Sequence, residues 1–123
     1  MLSREAFIKD RDYVFNKVYG ALAGIAIGDS FGDAARMQEK VTTDFNKGAS
    51  WSTDDTEFAL LTAHTIIRCG GKLTTEECVK SWMEHVVTQD EYKRGGASEV
   101  EAAKNLRRGI LPPESGKFNT YHQ

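Results

Sequence analysis

A chain of 123 residues, 40% hydrophobic and 28% charged with a formal net charge of −2, is the size of one ordinary domain with a core of its own. That charge, with no basic stripe carrying interleaved aromatics, leaves no electrostatic footprint for nucleic acid or an anionic membrane. The longest apolar run, residues 21–27, falls far short of the roughly 20 residues a spanning helix needs, and Met1-Leu2-Ser3-Arg4-Glu5 lacks the apolar stretch of a secretory leader, so a cytoplasmic protein is expected.

Every strong periodicity is helical. The first predicted helix runs from about Asp10 or Asp12 to about Gly32, with Val14, Val18, Leu22 and Ile25 spaced as one buried stripe. Gly20, Gly24, Gly28 and Gly32 recur every fourth residue along it. Each glycine costs a helix about 1 kcal/mol relative to alanine, so the ladder predicts a close approach, either of another helix or of a ligand. Asp29 stands beside Gly28 where this helix is expected to end or distort. Residues 37–50 read as a polar connector, with a short strand near Val41–Phe45 as the one weak alternative to an all-α fold.

Next comes Trp51-Ser52-Thr53-Asp54-Asp55-Thr56, at the mouth of an apolar helix running from Glu57 to Cys69 and stopped by Gly70-Gly71. Two readings of these six residues stay open. Asp54 with Glu57 has capping-box spacing, and acids in a first turn complement the helix dipole. A hydroxyl with two adjacent carboxylates is also a row of hard oxygen donors suited to Mg²⁺ or Mn²⁺, which Trp51 could wall from solvent. Adjacent carboxylates raise each other's pKa unless a cation or several donors offset them.

A third helix opens on the capping box Thr74-x-x-Glu77 and runs to about Val87, burying Cys78 or Val79, Trp82 and Val86. A fourth begins near Ser98, paired with Glu101, and runs to Arg108 before Gly109 and Pro112-Pro113 end it. A polar tail without a closing element follows. Cys69 and Cys78 are expected as free thiols, and His64, His85 and His122 receive no role.

Together, Gly20-Ala21-Leu22-Ala23-Gly24-Ile25-Ala26-Ile27-Gly28-Asp29-Ser30-Phe31-Gly32 and, some twenty residues on, Trp51-Ser52-Thr53-Asp54-Asp55-Thr56 resemble the ADP-ribosylglycohydrolase family. The family includes dinitrogenase reductase-activating glycohydrolases and the ADP-ribosyl-arginine and ADP-ribosyl-serine hydrolases. Asn105-Leu106-Arg107-Arg108-Gly109-Ile110, leading into Pro112-Pro113-Glu114-Ser115-Gly116, is similar to family sequence too. The resemblance implies an all-α fold and a two-metal Mg²⁺ or Mn²⁺ centre that hydrolyses the glycosidic bond at the ribose anomeric carbon. By position, Thr53, Asp54 and Asp55 match metal ligands, with Asp54 and Asp55 carrying the catalysis, while Gly28 and Asp29 match a substrate-binding or supporting position.

Two departures shape the expectation. Where many members place a glutamate beyond the Gly-Asp pair, this chain has Arg36, with Glu39 three residues on. The family's second ligand set, Asp-x-Asp-Ser/Thr, is missing, since the lone Asp-x-Asp here is Asp10-Arg11-Asp12. The chain is therefore expected to be a single, incomplete domain over residues 1–123, truncated relative to the family and inactive alone. Its expected partners are an ADP-ribosylated protein or a small ADP-ribose conjugate, with self-association or a missing C-terminal half to cover exposed apolar surface. The rival expectations are a non-catalytic helical binding module derived from this family and a general Mg²⁺-dependent phosphohydrolase.

Overall fold

The computed structural model describes residues 3–36, 51–88 and 96–117, and among these every regular element is helical. The fold is all-α. The segment weighed as a strand, residues 41–45, and Glu39 lie outside the described residues. Contacts divide the chain into two compact units, residues 1–59 and 60–123, and each is described by itself.

In the first unit, α1 (Arg4–Lys9) and α2 (Arg11–Arg36) are separated by Asp10 alone. Asp10 caps α2: its Oδ1 accepts the Tyr13 N–H at 2.9 Å and its carbonyl accepts the Val14 N–H at 3.0 Å. The Asp10-Arg11-Asp12 triplet is thus a helix start. α2 runs through all four glycines instead of ending near Gly32, and none of its residues is buried. The expected stripe is only partly covered, with Val18 52% and Ile25 41% exposed. The reason is one of length. α1, the helix packed along α2 in this unit, covers about 9 Å of the about 39 Å that α2 spans at 1.5 Å per residue. The glycine ladder is open among the described residues as well, since a Cβ built at Gly20, Gly24, Gly28 or Gly32 meets nothing of theirs within 4 Å. The expected close approach of another backbone is not made by the described residues.

In the second unit, α3 (Asp54–Arg68, entering this unit at Leu60) ends in a double hydrogen bond, Gly70 N–H to the Ile67 carbonyl and Gly71 N–H to the Ile66 carbonyl. That is a Schellman closure, which needs a left-handed residue, and Gly70 supplies it at φ +63°. α4 (Thr75–Trp82) is capped by Thr74, whose Oγ1 accepts the Glu77 N–H at 3.3 Å. The reciprocal half of the expected capping box is absent because the Glu77 carboxylate is drawn to Arg68 at 3.1 Å. Thr74 donates to the Glu76 carboxylate instead, and the Glu76 backbone N–H with that hydroxyl holds its pKa below the ordinary value.

α4 does not continue as an α-helix to Val87. Residues Met83–Val87 form a π-helical turn. Ser81 and His85 would share a face at α-helical spacing; across the wider turn Ser81, Val86 and Val87 are buried instead and His85 is exposed. The Ser81 hydroxyl, 1% exposed, meets Thr65 Oγ1 at 2.6 Å. Thr65 gives its one proton to the Leu61 carbonyl at 2.7 Å, so Ser81 is the donor between them. Cys78, Val79 and Trp82, expected inside, are half-buried.

α5 (Ala97–Arg107) begins one residue before Ser98, with Gly96 at the cap position and no side-chain cap, so the Ser98–Glu101 capping box does not form. Its C-terminus is as read from sequence. The Gly109 N–H reaches the Leu106 carbonyl and the Ile110 N–H the Asn105 carbonyl, both at 2.9 Å, with Gly109 at φ +82°. Beyond it the chain is not a free tail: a 3₁₀ turn, Glu114–Gly116, is tied back by the buried Asn105 amide donating to the Ser115 carbonyl at 2.9 Å. The buried hydrophobic residues Val86, Val87, Ala103 and Leu106 come from the π-helical turn and α5. Cys69 and Cys78 are free and half-buried. No helix among the described residues is long and apolar enough to cross a membrane.

Candidate metal centre

The N-terminus of α3 lies in the first unit, and a side chain from α2 closes it. Thr53 is the cap residue: its carbonyl accepts the Glu57 N–H at 3.3 Å and its Oγ1 accepts the Asp55 N–H at 3.4 Å. Asp54 is therefore the first helical residue, not the cap. The next free donor, the Thr56 N–H, is accepted by Asp29 Oδ2 at 3.2 Å. Asp29 takes three further bonds here: the Thr53 N–H on Oδ2 at 2.6 Å, the Thr53 hydroxyl on Oδ1 at 2.5 Å and the Thr56 hydroxyl on Oδ2 at 2.5 Å.

Asp29 is half-buried, and burial alone pushes its carboxyl up. The hydroxyls of Thr53 and Thr56 and the two backbone N–H groups outweigh that effect and hold the pKa at about 2, against an ordinary 3.8. The partial positive charge of the α3 N-terminus works in the same direction. At neutral pH Asp29 is an anion with four donors on it.

This arrangement bears on the cap reading of the Thr53–Thr56 row. Thr53 and Asp29 accept the N–H groups of Asp55 and Thr56, so those two donors have acceptors other than the Asp54 and Asp55 carboxylates. Asp54 is half-buried and Asp55 exposed, on consecutive positions of the first turn. Thr53, Asp54 and Asp55 suit a hard divalent cation in kind, being hydroxyl and carboxylate oxygen only. They fall short in number, since among the described residues no three His, Cys, Asp or Glu side chains come together as a metal site. Gly28, beside Asp29, is exposed and leaves open space where a side chain would stand. Trp51, expected as a wall against solvent, is itself 90% exposed.

The residue that sequence reasoning passed over is Thr56, 6% exposed and bonded to Asp29 through both its backbone and its hydroxyl. One signal was available. Thr53 and Thr56 lie three apart, on one face of a helix start, so a single carboxylate arriving from outside can hold both.

Compared with known proteins, residues 10–121 match the family model described as ADP-ribosylglycohydrolase. No curated protein and no solved structure matches the chain.

Proposed function

The chain belongs to the ADP-ribosylglycohydrolase family, and from that premise we propose that its site serves hydrolysis of the glycosidic bond between an ADP-ribose group and its acceptor, with Mg²⁺ or Mn²⁺ at Thr53, Asp54 and Asp55. The acceptor class is an ADP-ribosylated protein or a small ADP-ribose conjugate. A divalent cation held by Thr53, Asp54 and Asp55 would supply charge to align the substrate's oxygens and lower the pKa of a water. The protein's own part is to hold Asp54 and Asp55 where their negative charge faces the developing positive charge of the ribose carbon.

The observation that supports this reading is the Asp29 clamp. It accepts the Thr53 and Thr56 N–H groups at the start of α3 from outside, so those two donors do not call on the adjacent acids. Three donors are fewer than the roughly six oxygens a divalent cation takes, so this chain binds metal weakly and turns over little by itself. Asp54→Asn and Asp55→Asn are each expected to weaken Mn²⁺ binding at least about tenfold in titration calorimetry. Unchanged affinity in both variants would return the pair to an ordinary acidic helix start.

The second reading, a non-catalytic binding module, draws on the open glycine face of α2 and the exposure of Phe15, Tyr19 and Ile27. Its distinguishing outcome is a chain whose metal affinity is indifferent to Asp54 and Asp55 and which leaves ADP-ribosyl conjugates intact when the remaining family ligands are supplied in trans.

A further inference from the structure

We draw no further inference here: the strongest candidate, the exposed apolar surface of α2 that carries Phe15, Val18, Tyr19 and Ile25, carries nothing because nothing among the described residues shows what covers it.

Discussion

At the scale of single residues, the site turns on one carboxylate doing work for a helix to which it does not belong. Asp29 sits inside α2, where aspartate is a mediocre helix former, and its four bonds with Thr53 and Thr56 account for its presence there. Since its folded pKa is about 2, below the ordinary 3.8, its contribution to stability is complete at pH values well above 3.8 and is lost as pH falls toward 2. The urea midpoint of the parent should exceed that of Asp29→Asn by a constant margin above about pH 5, and the two should converge between pH 4 and pH 2. A margin that stays constant through that acid range would mean that Asp29 titrates as it does in the unfolded chain. Asp29 was legible in the sequence through the Gly-Asp pair, whereas Thr56 carried only its spacing from Thr53, which does not name a partner 27 residues away.

At the scale of elements, the helix ends and the helix faces behaved differently. Gly70-Gly71 and Gly109 stop α3 and α5 as their sequence positions implied, because a left-handed closing residue is a local demand that glycine meets without strain. The starts were less faithful. Two acids that looked like capping partners were engaged elsewhere or unused, Glu77 by Arg68 and Glu101 because Gly96 opens α5. The glycine face of α2 departs furthest from its reading. A regular ladder implied another helix or a ligand close against it, yet among the described residues a methyl group at Gly24 meets nothing within 4 Å. Gly24→Ala is therefore expected to stabilise the first unit by about 1 kcal/mol, the difference in helix propensity, in a urea unfolding curve. A loss of stability would reveal a neighbour on that face.

At the scale of the whole molecule, burial is uneven. Among the described residues, the buried hydrophobic side chains Val86, Val87, Ala103 and Leu106 all lie in the unit of residues 60–123, together with the Thr65–Ser81 hydroxyl pair. Among the described residues of the unit 1–59, the buried one is Thr56, and α2 buries none along its 26 residues. Local stability follows buried contacts, so amide hydrogen exchange should be slowest at Val86–Val87 and Ala103–Leu106 and at least about tenfold faster through the middle of α2. Equal protection of α2 would mean that its apolar side chains are covered in solution.

Helical periodicity, the two glycine-closed helix ends and the motif pair characteristic of the family were determined by the sequence itself, since each depends on residues within a few positions of one another or on residue type alone. What tertiary structure decided depends on partners far apart in the chain. It made Asp29 the closing acceptor of α3 and turned Glu77 from its capping box toward Arg68. It also widened the end of α4 so that Ser81 and Val86 could be buried together. A polar side chain has many local options of nearly equal energy, and the partner that brings the most donors or the best burial wins only once the helices are in place.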